Sequence, residues 1–481
     1  METRRDPGLR SGSISLWGIV FMVVATAAPL TAMATALPLV VAFGNGVGAP
    51  GTFLAVAVVL TLFAVGYSAM SAHVVNAGAF YAYISAGLGR RLGMASGLVA
   101  VVAYNVLTIY IAGLFGYFAQ QTCRVELGID LPWWLYTSGA LGIALALGIR
   151  GLEVNVRTLG VILLVETGLL VAFDVMWLFR NGVGALPLES LELAQVFSGS
   201  PGLALLFAVT CFIGFEATAI FGEEARDPHA TVPRATYMAI TVIGTLYVIT
   251  AWVLVAANGG VDAGTIASAN PGTFTVDALS TVLGSRSTDV ANWLLLSSLL
   301  AVLMALHNMS ARYFLAFGRE RVLPLWLAST HPVRRTPRNA GLAQAAITAA
   351  VVAAYAVAGA DPYVDLGSQT AGVGSLSVIA LMAACSFSVP FYFRHRGSLM
   401  IWPHVVAPVT AGLALAYFAF LIVDNFAVVT GSSSDLVNAL PLAIPVVAVV
   451  GFVVGGRRRG VAILDAVGTT AAPDENVGDV S

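Results

Sequence analysis

The sequence predicts an all-α integral membrane protein with about twelve transmembrane helices. Of its 481 residues, 58% are hydrophobic and only 10% are charged, whereas a soluble domain carries roughly 25% charged residues. Apolar runs of about 20 residues recur along the chain, and a helix needs that length to cross a bilayer. The strands of a membrane β-barrel would instead alternate in polarity over about 10 residues. We therefore expect a helical bundle with the lipid bilayer as its surroundings.

Twelve apolar runs qualify as membrane spans, and we number them span 1 to span 12. They begin near Ile14, Gly51, Leu92, Pro132, Thr158, Gly202, Pro233, Ala291, Asn339, Gly372, Ile401 and Ala439. The first run continues to Phe43, which is too long for the apolar core of a signal peptide, so we expect it to remain as a span. The tail at residues 456–481 is polar and is predicted to be disordered and cytoplasmic.

The distribution of arginine predicts the orientation in the membrane. The chain contains no lysine, so all 23 basic residues are arginine, and 19 of them fall into the termini and one set of alternate loops. The opposite set contains only Arg124, Arg180 and Arg286. Because cytoplasmic loops retain positive charge, we expect a multi-pass protein of the cell membrane with both termini cytoplasmic.

The composition also argues against several classes of function. Without lysine there is no GxxxxGK[ST] phosphate-binding loop, hence no ATP-binding motif of that type, and no retinal Schiff base. The six histidines and three cysteines are scattered, which argues against a haem, a metal centre or a disulfide framework. A net charge of -2 provides no basic face for nucleic acid. We expect no cofactor, no metal and no nucleic-acid partner.

Two spans contain residues that interrupt helices. Span 1 includes ATAAPLTAMATALP, where Pro29 removes a backbone hydrogen bond near the middle of the run. A kinked packing helix would explain this feature equally well. Span 6 includes FIGFE, in which Gly214 permits unwinding and Glu216 places a carboxyl group at membrane depth. Interrupted helices at corresponding positions of two halves indicate a transport site between them.

The positions of the interruptions predict the organisation of the chain. Five spans per half would invert the second half relative to the first. The predicted parts are a cytoplasmic segment at 1–13, repeat 1 with spans 1 to 5 at 14–180, repeat 2 with spans 6 to 10 at 202–393, and peripheral spans 11 and 12 at 401–455. Unwound backbone exposes N–H groups that suit a carboxylate and carbonyl oxygens that suit an ammonium group. A zwitterion fits both.

Four stretches resemble the amino acid-polyamine-organocation (APC) permeases. Span 6 and the segment after it, FIGFEATAIFGEEARDPHATVPR, are similar to the family pattern F-x-G-F-E followed by E-E and P-R. NAGAFYAYISAGLGR from Asn76 looks like the loop after helix two of the family. HNMSARYFLAFGRERVLP from His307 looks like the end of helix eight and its inner loop, and TPRNA from Thr336 like the start of helix nine. The resemblance covers roughly residues 14–393.

This resemblance implies a leucine-transporter-like arrangement, with inverted five-helix repeats, broken helices 1 and 6, and substrate bound between the breaks. Family members move amino acids, polyamines and related amines, often with a proton or by exchange. The resemblance places these residues at the two breaks: Ala27, Ala28, Pro29 and Thr31 at the first, and Ile213, Gly214, Phe215 and Glu216 at the second. The first break reads AAPLT where many members are glycine-rich, which predicts narrower access to the backbone. Helix five, where some proton-coupled members carry a lysine, offers Glu166 instead.

Each candidate residue also has a structural interpretation. Glu216 is expected to contact a substrate amine or to exchange a proton, and the alternative is a protonated carboxyl bound to a neighbouring helix. Glu166 is a candidate for ion coupling, or for a hydrogen bond to span 1 or span 8. Further candidates for the substrate site, each of which also fits a packing role, are Tyr104, Asn105, Phe212, Phe215, His307 and Asn308. The cluster of Glu223, Glu224, Arg226 and Asp227 is either an inner gate or a solvated helix end.

The predicted function is a secondary transporter that moves an amino acid or related amine by alternating access, as a symporter or antiporter, with a proton as a second partner. Alternatives are a polyamine or organocation importer and a nutrient sensor that binds without transport. A channel would need repeated polar rings along one pore, and an enzyme would need clustered catalytic groups; neither stands out in the sequence. The sequence does not indicate which substrate, stoichiometry, direction or oligomeric state applies.

Overall fold

The computed structural model describes residues 15–74, 80–150, 156–216, 218, 227–331, 334, 336–431 and 434–457. Within these ranges every regular element is helical and no strand is present, which confirms the predicted all-α class. The long helices of spans 2 to 5 are Ala49–Ser71, Arg90–Leu127, Trp133–Arg150 and Val156–Asn181. Spans 7 to 12 are Pro228–Ala257, Arg286–Arg319, Arg338–Val357, Asp365–His395, Ala407–Asp424 and Ala443–Arg457.

Spans 1 and 6 are interrupted, as predicted. Span 1 consists of Leu16–Ala27 and a second helical stretch at residues 29–45, which contains π-helical turns at Ala32–Ala36 and Val40–Asn45. Span 6 begins as Pro201–Phe212 and then leaves the helix. In the described part of the chain, eight helices are long and apolar enough to cross a membrane. One of the eight, Pro29–Ser71, joins the second stretch of span 1 to span 2. The helices before the two breaks, Leu16–Ala27 and Pro201–Phe212, have only 12 residues each.

Short helices connect the spans. The α-helical connectors are Phe80–Leu88, Leu193–Val196, Ala263–Ala269, Phe274–Leu283, Phe426–Thr430 and Asp435–Asn438. The 3₁₀ turns are Gly46–Gly48, Val183–Ala185, Leu188–Leu191, Gly260–Asp262, Leu325–Ala328 and Leu440–Leu442, and a π-helical turn at Trp402–Val406 precedes span 11. Two details differ from the predictions. The segment expected as a loop after span 2 contains the helix Phe80–Leu88, and span 10 begins at Asp365 because its polar first turns are buried inside the bundle.

Span 5 illustrates how the bundle meets the membrane. Its buried stripe consists of Leu163, Glu166, Leu170, Phe173, Asp174 and Trp177. Its opposite face is apolar and exposed, with Val161, Leu164, Val175 and Phe179 among its members. A helix with an exposed apolar face is stable when that face meets lipid rather than water. The inward stripe therefore carries both acidic side chains, and the outward stripe carries none.

Candidate substrate site

The break in span 1 lies at Ala28. This residue has φ 45° and ψ 75°, a left-handed conformation that ends the helix Leu16–Ala27. Pro29 then occupies the first position of the second helical stretch, where its missing N–H and fixed φ suit a helix start. An alanine in this conformation costs about 1–2 kcal/mol. The sequence AAPLT thus produces a helix end followed directly by a helix start.

The break in span 6 depends on Gly214. The helix ends at Phe212, Ile213 takes extended angles of φ -59° and ψ 132°, and Gly214 has φ 115°. A Cβ atom added to Gly214 would lie 2.7 Å from Cγ2 of Thr26 in span 1. Glycine is therefore required twice, for its backbone angle and for the close approach of the two interrupted spans.

Tyr247 of span 7 connects the two breaks. Its hydroxyl lies 2.8 Å from the carbonyl oxygen of Ala27 and 3.2 Å from the carbonyl oxygen of Cys211. These carbonyls belong to the last residues of two half-helices, which lack intrahelical donors. The fully buried ring of Tyr247 packs edge-on against Phe212 at a centroid distance of 5.2 Å. One side chain thereby satisfies backbone groups of both half-helices.

Glu216 is fully buried and closes the turn of span 6. Its Oε2 accepts the N–H of Gly214 at 2.8 Å, and its Oε1 accepts the hydroxyl of Tyr104 at 2.9 Å. The backbone carbonyl of Glu216 accepts the hydroxyl of Tyr67 at 2.7 Å. The carboxyl group therefore joins the unwound backbone to span 3, and the backbone carbonyl joins it to span 2. Glu216 does not line the cavity described next.

A cavity of about 60 Å³ lies between the two breaks. Its lining is Thr26, Ala27, Ala28, Thr31, Ala32, Thr35, Ala36, Tyr104, Leu107, Tyr110, Ile111, Thr210, Cys211, Ile213, Gly214, Val302, Leu306 and Met309. Among these described residues the polar side chains are hydroxyl groups and one thiol, and none carries a formal charge. The walls are otherwise aliphatic. The cavity is thus a mostly apolar space with hydroxyl groups and interrupted backbone on its surface.

The interrupted backbone supplies the strongest polar groups of the cavity. The first backbone N–H groups of the helical stretch that begins at Pro29 lie at a helix N-terminus, and a helix N-terminus attracts anions. At the C-termini of the helices that end at Ala27 and Phe212, the carbonyl oxygens of Ala27 and Cys211 each accept one hydrogen bond from Tyr247 and keep a second lone pair for a cation. Both kinds of group border the same space because Gly214 and Thr26 are in contact. This arrangement can hold the two ends of a small zwitterion without a charged side chain.

Six of the residues predicted for the substrate site line this cavity: Ala27, Ala28, Thr31, Tyr104, Ile213 and Gly214. Phe212 and Phe215 are completely buried in packing contacts. Phe215 lies edge-on to Phe63 at 5.7 Å, so both aromatic rings stabilise the bundle beside the cavity. Pro29 is buried at the break, but its side chain is outside the lining.

Two pairs of neighbouring residues were predicted for the site, one on span 8 and one on span 3. Three of these four side chains do not face the cavity, because successive side chains of an α-helix point about 100° apart. On span 8, Val302, Leu306 and Met309 face the cavity. His307 instead bonds through Nδ1 to Oε1 of Gln344 in span 9, and Asn308 lies against Gly148 of span 4.

On span 3, the same rotation separates Tyr104 from its neighbour. Tyr104 faces the cavity, whereas Asn105 donates to the carbonyl of Val101 within its own helix at 2.8 Å. Neither member of the span 8 pair and only one member of the span 3 pair thus reaches the cavity surface.

Glu166 is connected to the cavity by two hydroxyl groups. The hydroxyl of Thr31, a lining residue, donates to Oγ of Ser298 at 3.0 Å. The Ser298 hydroxyl in turn lies near the carboxyl of Glu166, which is only 2% exposed. The second oxygen of this carboxyl, Oε2, has no hydrogen-bond partner among the described residues. The predicted contact with spans 1 and 8 therefore takes the form of a short chain of hydroxyl groups.

Of the predicted inner cluster, only Asp227 lies within the described residues. Its side chain is exposed and accepts the N–H of Ala230 at 3.4 Å, so it caps the start of span 7. Glu223, Glu224 and Arg226 lie outside the described residues. The inner gate stays a prediction.

Several contributors to the site were missed by the sequence analysis. They are Tyr247, Ser298, Thr210, Tyr110 and Thr35. A hydroxyl-bearing residue in an apolar span is weak evidence for a substrate site, because most such hydroxyl groups bond to their own helix. The hydroxyl of Thr35, for example, donates to the carbonyl of Thr31 at 2.8 Å. Asp174 carried a stronger signal, since it follows Glu166 by eight positions on the inward stripe of span 5.

The comparison with known families supplies the observation that decides the class. A family model described as amino acid permease matches residues 14–454. The chain belongs to the amino acid permease family. This permease is therefore a multi-pass membrane protein, and the predicted APC resemblance is confirmed.

Similar individual proteins are also transporters by name. An uncharacterized transporter of Mycobacterium tuberculosis is 27% identical over 284 residues, which is 54% of the permease and 59% of that relative. The methylthioribose transporter of Bacillus subtilis is 25% identical over 379 residues, or 73% of the permease and 78% of the relative. The branched-chain amino acid permease BcaP of Lactococcus lactis is 24% identical over 330 residues, or 64% of the permease and 69% of that relative. The permease thus spans 59% of the length of its mycobacterial relative.

Proposed function

We propose that this permease is a secondary active transporter that carries a small neutral amino acid by alternating access. The observation that carries the proposal is the cavity between the breaks in spans 1 and 6. It offers a helix N-terminus to a carboxylate and helix C-termini to an ammonium group, and no charged side chain belongs to its described lining. A zwitterion with an uncharged side chain matches this set of groups.

The size of the cavity limits the substrate. A water molecule needs roughly 10–15 Å³ on this measure of volume, so 60 Å³ corresponds to roughly four to six water-sized positions. Alanine has six non-hydrogen atoms, which matches the upper end of this range, and valine, with eight, is slightly larger. The aliphatic walls formed by Leu107, Val302 and Met309 favour an apolar side chain over a polar one.

A polyamine or organocation is less compatible with the lining of this cavity. A cationic substrate would be stabilised by a free carboxylate in the cavity, but Glu216 lies outside the lining and both its oxygens accept internal hydrogen bonds. The name of the Lactococcus lactis relative supports an apolar amino acid. The name of the Bacillus subtilis relative indicates methylthioribose, a neutral substrate that belongs in any test.

Proton coupling through Glu166 is the second part of the proposal. The chain of Thr31, Ser298 and Glu166 connects the cavity to a buried carboxyl that can bind a proton. Glu166→Gln keeps the shape of the side chain but cannot titrate. We expect the variant to exchange substrate across proteoliposomes at the wild-type rate and to accumulate less substrate than wild type when uptake is driven by a proton gradient. Accumulation equal to that of wild type would exclude Glu166 as a coupling group.

The proposal also covers the two repeats of the chain and the side of the membrane on which its termini lie. Residues 14–180 and 202–393 would form inverted repeats that rock about the site, with both termini cytoplasmic. Support comes from the contact between the two breaks at Gly214 and Thr26. In a background that lacks Cys123, a cysteine introduced at Ser329 should react with a membrane-impermeant reagent from the cytoplasmic side only. Labelling from outside would contradict the topology.

The substrate class is tested by binding and exchange together. Purified permease would be heated with L-alanine, L-valine, L-leucine, putrescine or methylthioribose, because a ligand at about 100 times its dissociation constant stabilises the folded state by roughly 2.7 kcal/mol. Counterflow of the same compounds in proteoliposomes then separates transport from binding. We expect L-alanine or L-valine to give both signals. Protection by putrescine or methylthioribose alone would overturn the amino acid assignment, and protection without counterflow would indicate a sensor.

A further inference from the structure

Asp174 is a second buried carboxyl on the inward stripe of span 5. It is 5% exposed, and its Oδ2 accepts the hydroxyl of Thr250 in span 7 at 2.7 Å. Its other oxygen, Oδ1, is inaccessible and has no hydrogen-bond partner among the described residues. A buried charge in a membrane is costly and one neutral hydrogen bond offsets little of that cost. Asparagine could accept the same hydroxyl without any charge.

The surroundings of Asp174 repeat those of Glu166. Each carboxyl lies near a hydroxyl of a neighbouring span, Ser298 for Glu166 and Thr250 for Asp174, and each has one oxygen without a described partner. The two residues are eight positions apart, which is about 12 Å along a helix. Asp174 lies toward the Arg180 end of span 5. Span 5 thus carries two similar carboxyl groups at two depths of the membrane.

No cation faces Asp174 from the elements packed against span 5, as far as the structure describes them. These elements are both parts of span 1, spans 7 and 8, the helix Phe274–Leu283 and the turn Val183–Ala185. The titratable or charged groups at that level are Tyr247, Asp277, Arg286 and Asp289. The last three are exposed, and the hydroxyl of Tyr247 is directed to the two breaks. A proton is the one cation that such a site can hold without further ligands.

Thr250 connects this carboxyl to the moving parts of the transporter. It lies one helical turn from Tyr247, whose hydroxyl contacts the carbonyl oxygens of Ala27 and Cys211. A change in the protonation of Asp174 therefore acts on the helix that holds both breaks. Building on the proposed proton-coupled function, we propose that Asp174 is a second proton-binding site, loaded and emptied once in each transport cycle.

The proton-to-substrate ratio tests this assignment. With proteoliposomes clamped at zero voltage and a pH difference of one unit, each coupled proton multiplies the steady-state accumulation of substrate by about ten. The probes are radiolabelled L-alanine and L-valine. Asp174→Asn should lower the accumulation about tenfold relative to wild type and leave counterflow unchanged. Asp289→Asn, which removes an exposed carboxyl from span 8, serves as the matched control and should accumulate substrate like wild type.

A purely structural role is distinguished by Thr250→Val. This variant weakens the contact with span 7 but keeps the carboxyl that binds the proton, so its accumulation ratio should exceed that of Asp174→Asn even if the protein melts earlier. An Asp174→Asn ratio equal to wild type would overturn the second site and leave coupling through Glu166 intact. Wild-type counterflow without any accumulation would overturn proton coupling altogether, and with it this site, while the substrate assignment would stand.

If neither amino acid is transported, an infrared pH titration tests directly whether Asp174 binds and releases a proton. The carbonyl band of a protonated carboxyl should appear and disappear with pH in wild type and lose one component in Asp174→Asn. Glu166→Gln should remove a different component. An unchanged band in Asp174→Asn would show that Asp174 does not exchange a proton, whatever the substrate is.

Discussion

The hydroxyl of Tyr247 lies 2.8 Å from the carbonyl oxygen of Ala27, at the point where span 1 leaves its helix. The same hydroxyl lies 3.2 Å from the carbonyl oxygen of Cys211, one residue before span 6 ends its helix. Both carbonyls belong to unfinished last turns that need an external donor. Span 7 therefore holds the two breaks at a defined spacing through one phenol group.

Tyr247→Phe should loosen this connection. The ring can keep its contacts with Phe53 and Phe212, while two carbonyl groups lose their donor. We expect the free energy of unfolding to fall by about 1–3 kcal/mol and the affinity for L-alanine to weaken. Chemical unfolding and a binding titration measure the two effects. Tyr417→Phe, at a half-exposed tyrosine, should change neither. Wild-type binding in Tyr247→Phe would show that the bridge is not needed.

Gly214→Ala should abolish transport. The added Cβ would combine an unfavourable φ of 115° with a 2.7 Å approach to Thr26. Gly182→Ala is a matched control, because Gly182 also has a positive φ of 77° but nothing lies within 4 Å of the added atom. Both substitutions introduce about 1–3 kcal/mol of backbone strain. Only Gly214→Ala should lose counterflow in proteoliposomes; equal loss in both would assign the effect to strain alone.

Glu216→Gln should act through the turn of span 6 rather than through one substrate. The carboxylate accepts both Gly214 N–H and the Tyr104 hydroxyl, whereas an amide has a single acceptor oxygen. We expect about 1–3 kcal/mol of destabilisation and a similar loss of affinity for L-alanine and L-valine.

A double-mutant cycle tests this explanation of Glu216. With Tyr104→Phe in place, the glutamine oxygen needs to serve only Gly214, so the two changes should be less than additive by about 0.5–3 kcal/mol. Thermal unfolding of the four proteins measures the coupling. Strict additivity would indicate that the two residues act independently, and an effect confined to one substrate would favour direct contact with Glu216.

Met309→Ala should widen the range of substrates. Met309 lines the cavity, whereas Met304 on the same span is buried elsewhere. Shortening a lining side chain gives room for larger substrates, and one methylene in an apolar pocket changes discrimination by about 10–200-fold. We expect the ratio of L-leucine to L-alanine counterflow to rise at least about tenfold in Met309→Ala. Met304→Ala should lower stability without changing that ratio.

The sequence by itself determined the class of the protein and the location of both breaks. Long apolar runs leave no alternative to helices in lipid, because a bilayer core satisfies no backbone hydrogen bonds. Pro29 and Gly214 act locally, through a missing N–H and a missing Cβ, so their effects could be predicted without the neighbouring helices. Glu166 and Asp174 of span 5 can also be recognised in the sequence, because they are acidic residues in an otherwise apolar run.

Only the tertiary structure decided which side chains meet at the site. Tyr247, Ser298 and Thr210 come from helices far apart in the chain, and an apolar span gives little indication of which face it turns inward. A rotation of one position separates the cavity-lining Leu306 from His307, which bonds to Gln344. Glu216 was visible as a buried carboxyl, but its two donors depend on how span 3 packs against the unwound backbone. Local chemistry thus sets where the helices break, and helix packing sets what each break contacts.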